Sequence, residues 1–504
     1  MSHTVILLVV TPLMTAFLLS MTAIPHKVAY TTLKRIRMLL SVSGFAGLCV
    51  LLGTAGPHVL SGEVLTYQLG GWSPFLGIAL RLDALSFLMA TIAVLVSFLT
   101  MFYSFSYMER MRGLGKYDTF YFLMMTGMMG VLLTRDFFNM YVFLEILGLS
   151  VYILISSGEK KENYKASLKY LVLGSLASGL FLLAVGILYH VTGSLNMDYA
   201  AQGIQGIVER NPSVAALVFA LFVVSLGLKS GVVPLHFWLP DAHSMAPSPV
   251  SALLSGIVLK ITVYCMIRVV PFFGPQFYQG VSPVIASVGA ATVLGGTLLA
   301  LSQKNIKRML AYSSVSQIGI IITGIGIGTD IALKGALFHI LNHALMKSGL
   351  FLCAGIMIHQ SGTRDIPHLR MGTPGIAASF VVFSLGVVGI PPLNGFVSKF
   401  IICYGAVKAQ YDGLAFVILI ASLISCSYYF RVVQTFFSRR QGEKKEKRRK
   451  KKGEKKENDP ETPLQLSNWM RIPVYILAVL CLLLGLFPSV GLKAVELAVT
   501  VGGG

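Results

Sequence analysis

Apolar residues run along this chain in blocks of about twenty, parted by short polar breaks. A block of that length is what an α-helix needs to cross the roughly 30 Å hydrocarbon core of a bilayer. The blocks fall near 3–24, 38–56, 83–107, 118–134, 136–157, 166–192, 213–235, 248–270, 281–302, 309–328, 331–358, 374–404, 413–437 and 471–495, which predicts fourteen spans. Only Arg135 and Asp136 separate the fourth from the fifth, so a tight turn is expected there. The class that follows is an all-α polytopic membrane protein.

Two blocks contain proline in mid-span. The seventh holds Lys229-Ser-Gly-Val-Val-Pro234 and runs on to Pro240, and the twelfth holds Gly389-Ile-Pro391-Pro392-Leu-Asn-Gly395-Phe-Val-Ser-Lys399. Proline removes a backbone donor and clashes with the preceding turn. The carbonyls it frees at membrane depth need a protein partner or a water-filled cavity. Two such broken helices, five spans apart, predict two five-helix repeats, and an odd number of spans turns the second copy upside down. The organisation expected is 1–117 for helices 1–3, 118–270 for the first repeat, 281–437 for the second, 438–470 for a basic linker and 471–504 for the last helix.

Composition agrees with this pattern. Hydrophobic residues make up 55% of the 504 and charged residues 12%, against about 25% in soluble domains, and mean hydropathy is +0.74. The net charge of +20 would suit a nucleic-acid binder if it were spread over one face, but it is not. Arg439 to Glu457 alone hold 12 Lys/Arg and 4 Glu, a solvated tract that cannot bury a core and could meet anionic lipid headgroups. With the N-terminus outside, the other inward loops carry 17 cations and the outward loops 6. Basic residues collect on the cytoplasmic side, so both termini are expected outside a prokaryotic cell membrane and the tract inside. The six cysteines lie singly in apolar stretches, which argues against disulfides, zinc and iron–sulfur ligation. No Walker motif or serine elbow stands out, and Gly324-Ile-Gly-Ile-Gly328 lies in a span with no strand before it. No nucleic acid, metal or cofactor is expected in this chain.

So low a charge content makes the charges inside spans stand out. An ionisable group at mid-span costs several kcal/mol unless paired or hydrated, so it is a functional candidate. Glu145 is the deep carboxylate, and Lys229, just before the first break, is its natural counter-ion. A buried lysine suits proton transfer, and a carboxylate that approaches or withdraws would control when it lets its proton go. Lys260 lies in the middle of the eighth span, and Lys399 follows the second break. His339, His343 and Lys347 recur every four residues and share one face of the eleventh span. They suit proton relay better than zinc, for which no third ligand is near. Asp241 and His243 follow the first break and are candidates for proton uptake at the cytoplasmic mouth. Lys304, Lys307 and Arg308 read as ordinary inward-loop cations.

The stretch from Gly227 to Gly256, GLKSGVVPLHFWLPDAHSMAPSPVSALLSG, resembles the signature of the antiporter-like family. That family contains the D-type subunit of Mrp cation/proton antiporters and the proton-pumping membrane subunits of complex I and of membrane-bound hydrogenases. KRMLAYSS from Lys307 to Ser314, HILNHALMK from His339 to Lys347, and the segment from Gly389 to Lys399 agree with it. The resemblance implies fourteen helices with inverted repeats. It matches Glu145 and Lys229 to the family's Glu–Lys pair, Lys260 to its central lysine, His339 and His343 to the histidines of helix 11, and Lys399 to the terminal acid or lysine of helix 12. Lysine rather than glutamate at Lys399 leans toward Mrp D-type and hydrogenase-type subunits. No long lateral helix is expected after span 14.

The expected function is that of a proton-translocating subunit in a larger membrane complex. The complex is either redox-driven, with other membrane subunits and a peripheral module carrying iron–sulfur or nickel–iron centres, or a stand-alone Mrp sodium/proton antiporter. A passive scaffold for a peripheral enzyme is the alternative of another class. The sequence leaves open whether protons or sodium ions move.

Overall fold

The computed structural model describes residues 2–22, 30–110, 114–158, 160–370, 373–450 and 466–502. The chain begins with α1 (Ser2–Met21) and α2 (Tyr30–Leu60). A small antiparallel hairpin follows, β1 (Leu65–Gln68) and β2 (Ala79–Leu82), with Leu65 opposite Leu82. Then come α3 (Ala84–Tyr107), α4 (Leu114–Leu133), α5 (Phe137–Ser156), α6 (Lys161–Thr192), the short α7 (Met197–Arg210), α8 (Pro212–Ser230) and α9 (Leu239–Met245). The eighth span is α10 (Ser248–Leu253), a π-helical turn at Leu254–Val258, and α11 (Leu259–Val269). The second half is α12 (Pro275–Leu301), α13 (Ile306–Gly326), α14 (Asp330–Ser361), α15 (Pro374–Val388), α16 (Asn394–Lys408), α17 (Asp412–Lys450), α18 (Asn468–Leu486) and α19 (Pro488–Gly502).

Among the described residues, twelve helices are each long and apolar enough to cross a bilayer. Adding α4 and the broken pair α15–α16 brings the total to about fourteen. The turn expected at Arg135–Asp136 is present. The Asp136 side chain accepts the Asn139 N–H at 2.7 Å and starts α5. The last span differs from its expected extent of 471–495: it stops at Leu486, turns at Phe487 and restarts at Pro488 as α19. Proline suits the first turn of a helix but cannot continue the one before it. The hairpin and α7 are elements that span counting did not foresee. Lys27, Arg112 and the basic tract beyond Lys450 lie outside the described residues; up to Lys450 the tract continues α17.

The two repeats share local details at opposite ends. Asp136, the cap of α5, forms a β-bridge with Asn196, and Asn305, the cap of α13, forms one with Asp365. The paired backbone bonds correspond: Phe137 N–H to Leu195 O and Met197 N–H to Arg135 O in the first, Ile306 N–H to Arg364 O and Ile366 N–H to Lys304 O in the second. The helices between, α6 and α14, both run 32 residues and stop at a left-handed glycine, Gly193 or Gly362. The broken helices stop the same way, α8 at Gly231 and α15 at Gly389. Five spans separate the matching parts, so the two bridges lie at opposite faces of the membrane.

α13 and α14 are buried along most of their length, as are α10 and α11. They form the centre, ringed by lipid-facing helices such as α1, α2, α6 and α12 with exposed leucines, valines and phenylalanines. Arg268 at the end of α11 donates to both carboxylate oxygens of Asp83 at 2.5 and 2.7 Å. Asp83 is also the N-cap of α3, so one buried ion pair fixes α3 against the centre. Arg37 of α2 and Asp118 of α4 form a second at 2.8 Å.

Candidate functional site

The first break sets the site's position. α8 ends at Ser230, and its Leu228 carbonyl, which the Gly231 N–H reaches at 3.3 Å, accepts the indole N–H of Trp238 at 2.8 Å. Trp238 is in turn stacked on Tyr170 of α6. The Val233 N–H reaches across to Thr292 Oγ1 on α12 at 3.2 Å. Freed backbone groups are thus satisfied inside protein, as membrane depth requires. Lys229 sits in the last turn of α8, where a helix C-terminus favours a cation.

Lys229 Nζ lies 3.3 Å from Glu145 Oε1 of α5, as the sequence predicts. The lysine is buried while the glutamate side chain keeps 27% exposure. Ser178 of α6 donates its hydroxyl to the same carboxylate oxygen. Three helices therefore converge on one acid.

Lys260 is fully buried, the first turn of α11 placing it just beyond the π-helical turn. Its Nζ donates to the Ser255 carbonyl. The Ser255 hydroxyl pairs with that of Ser314 on α13 at 2.6 Å. Ser314 donates to the Leu310 carbonyl at 2.9 Å, which also accepts from Lys347 Nζ at 3.1 Å. Lys347 then meets Tyr429 Oη of α17 at 3.1 Å, and Tyr429 pairs with Ser313 at 2.9 Å. A hydrogen-bonded row thus leads from Lys260 to Lys347.

The face of α14 expected to carry His339, His343 and Lys347 is buried throughout. The two imidazoles are near-parallel, with centroids 5.9 Å apart. His339 contacts Ser398 Oγ through Nδ1 at 2.9 Å and Gln317 Oε1 through Nε2 at 3.1 Å. Neither nitrogen of His343 has a protein partner. Ser398 precedes Lys399, whose Nζ donates to the freed carbonyls of Val387 (2.7 Å) and Val388 (3.2 Å) at the second break and to Ser422 Oγ (2.9 Å). Lys399 thus does at the second break what Trp238 does at the first. Asn342 and Asn394 exchange two hydrogen bonds beside it and tie α14 to α16.

The structure separates Asp241 from His243. Asp241 stands near the surface between Lys169 of α6 (2.6 Å) and Arg308 of α13 (3.0 Å), clasping the two repeats. His243 is wholly buried, stacked on Phe351, with no protein partner for either nitrogen. Lys307, Lys347 and Lys260 are its charged neighbours. Lys307 corrects the sequence reading. It is not an ordinary loop cation: it is 1% exposed and donates to the Ala246 carbonyl beneath α9. Glu145 is also not alone among carboxylates within spans, since Asp118 lies buried in α4 against Arg37. Ser178, Ser255, Ser314, Gln317, Ser398 and Tyr429 escaped the sequence reading because uncharged polar residues are common in spans. Ser255, Ser314 and Ser398 lie in the quoted family-like stretches, but nothing in those stretches singled them out from their neighbours.

Two family models match this chain: "NADH:quinone oxidoreductase/Mrp antiporter, TM" over residues 134–425 and "NADH-Ubiquinone oxidoreductase (complex I), chain 5 N-terminus" over 75–118. The N-type subunit of the NADH-quinone oxidoreductase of Desulforudis audaxviator is 34% identical over 503 residues, covering 96% of each chain. The D-type subunit of the Na(+)/H(+) antiporter of Alkalihalophilus pseudofirmus is 33% identical, covering 76% of this chain and 78% of its own. Among solved structures, a chain of an archaeal respiratory membrane complex, the membrane-bound sulfane sulfur reductase, superposes with a TM-score of 0.86. It is 29% identical, and the match covers 99% of this chain and 97% of that one. The same helix breaks, buried lysines and half-buried glutamate that define the site lie inside the matched region, and the chain belongs to the antiporter-like family of membrane subunits shared by NADH:quinone oxidoreductases and Mrp antiporters.

Proposed function

We propose that this chain is the proton-translocating subunit of a redox-driven, multisubunit complex in a prokaryotic cell membrane, with both termini outside. The contact that carries the reading is Lys229 on Glu145 at a helix break, with further buried bases beyond it. An ion pair at such a break can be made and unmade by a small movement of α8, which makes it a gate. A proton taken up near Asp241 and His243 loads Lys260, and Glu145 and Lys229 govern the loading. From there it passes along the α14 face, with Lys347, His343 and His339, to Lys399 and the outside. The chain holds no redox cofactor; other membrane subunits join it, and a peripheral module with iron–sulfur or nickel–iron centres supplies the energy. The near full-length match to a quinone oxidoreductase subunit and to a respiratory complex supports this reading.

A stand-alone Mrp-type sodium/proton antiporter is the second reading, supported by the match to the D-type subunit of an antiporter. Purification of the native complex in mild detergent, with mass spectrometry of the co-purifying chains, separates the two. Iron–sulfur or nickel–iron subunits are expected. Recovery with small membrane subunits and no redox protein would establish the antiporter instead.

A further inference from the structure

Lys260 and Lys347 are both fully buried, and neither touches a carboxylate among the described residues. Between them lie two hydroxyls, Ser255 and Ser314, 2.6 Å apart. Local structure brings these four groups together. The π-helical turn at Leu254–Val258 changes the helical pitch, so that Lys260 turns back to the Ser255 carbonyl. Such turns recur at functional sites. Gly256 within that turn lets α14 come close: an added Cβ would lie 2.1 Å from the Ser348 hydroxyl and 3.4 Å from its Cβ. That close approach seats the helix carrying Lys347 beside Ser255. The Leu310 carbonyl is shared by Ser314 and Lys347, which leaves these two within a single small displacement of each other.

Internal symmetry gives the arrangement meaning. Glu145 stands the same number of residues after its cap Asp136 as Ser314 does after Asn305. Ser178 and Lys347 likewise stand equally far before the bridge residues Asn196 and Asp365. The first repeat thus sets an acid and a hydroxyl at these two positions, and the second sets a hydroxyl and a base there. A carboxylate holds its lysine as an ion pair. A hydroxyl both accepts and donates, so it hands a proton on without retaining it.

We infer that the Ser255 and Ser314 hydroxyls carry the proton from Lys260 to Lys347. This rests on the translocation reading above. Protonated Lys260 turns from the Ser255 carbonyl, which has no proton to pass, to the hydroxyl of the same residue and donates to it. Ser255 gives its own proton to Ser314, and Ser314 gives its own to the lone pair of neutral Lys347. One N–H and two O–H bonds break, and two O–H and one N–H bond form. Each serine ends with one proton, the positive charge has moved to Lys347, and nothing is oxidised or reduced. Repulsion between two ammonium groups so close keeps the row loaded with one proton at a time.

The test uses the intact complex, reconstituted in vesicles with an imposed membrane potential and a pH-sensitive dye inside. Ser314→Ala is expected to slow proton flux by about tenfold or more with all subunits present. Ser314→Thr, which restores the hydroxyl, is expected to restore both the rate and the solvent deuterium isotope effect of the native complex. Wild-type flux in Ser314→Ala, where Lys260→Ala is inactive in the same assay, would overturn the relay, and so would a loss that threonine does not repair. If Lys260→Ala also runs at the native rate, the translocation reading itself falls. Should Ser314→Ala fail to assemble, Ser255→Ala is judged by the same outcomes.

Discussion

Glu145 and Lys229 illustrate how a residue's surroundings divide its tasks. The lysine is buried, whereas the carboxylate is partly open and has a second partner in Ser178. Removing the acid leaves a buried ammonium without a counter-ion, and removing the base leaves a carboxylate still hydrogen-bonded. Glu145→Gln should therefore lower the unfolding midpoint of the purified complex more than Lys229→Met; the reverse order in a thermal scan would contradict this geometry. Asp241 and His243 divide in a similar way. Asp241 seats α9 by its ion pairs with Lys169 and Arg308, and His243 faces the interior. His243→Ala is expected to cut proton flux further than Asp241→Asn, and equal or inverted losses would assign uptake to the surface acid instead. At this scale, charges inside long apolar blocks were legible because the energetic penalty for placing them there is large. Lys307 was misjudged for a physical reason. Its place in the chain is a loop edge, but α9 folds over it and removes it from water. The serines were illegible because nothing in a sequence distinguishes a hydroxyl bonded to its own helix from one that bridges two helices.

The elements follow hydropathy closely until geometry departs from a straight α-helix. Both broken helices were visible as mid-span prolines, and the turn between α4 and α5 as Arg135 and Asp136. Hydropathy averages over a window, so it missed the π-helical turn inside the eighth span, the restart at Pro488 and the amphipathic α7. Two tight features carry expectations for stability. Asp83 caps α3 and binds Arg268 with both oxygens while nearly inaccessible. Asp83→Ala is expected to cost about 3–5 kcal/mol, read as a fall in the unfolding midpoint of the complex; a change below about 1 kcal/mol would show that the pair bears little of the packing. At the second break, Gly395 approaches α15 so closely that an added Cβ would lie 1.9 Å from the Gly386 carbonyl oxygen. Backbone cannot yield as a side chain tip can, so Gly395→Ala is expected to cost about 1–3 kcal/mol in the same assay, and native stability would show that the break is plastic.

At the scale of the whole molecule, the inverted repeats place a bridged pair of loops at each face, Asp136 with Asn196 and Asn305 with Asp365. In the proposed orientation, which the excess of inward cations supports, the first pair lies outside. A cysteine introduced at exposed Glu209 should then react with a membrane-impermeant maleimide on intact cells, and one at exposed Ser302 only after the membrane is opened. The native chain is the blank, because Cys49 is itself exposed. Labelling of both positions from one side would contradict the inversion. The second repeat holds Ser314 where the first holds Glu145, so under the proposed translocation the two halves load and pass a proton by different means. All of this depends on ions crossing the membrane through this chain. The most direct measurement is proton flux through the reconstituted complex carrying Glu145→Gln, with subunit composition checked on the same preparation. A fully assembled complex whose flux is abolished is expected, and native flux in that complex would contradict translocation through the Glu145–Lys229 gate.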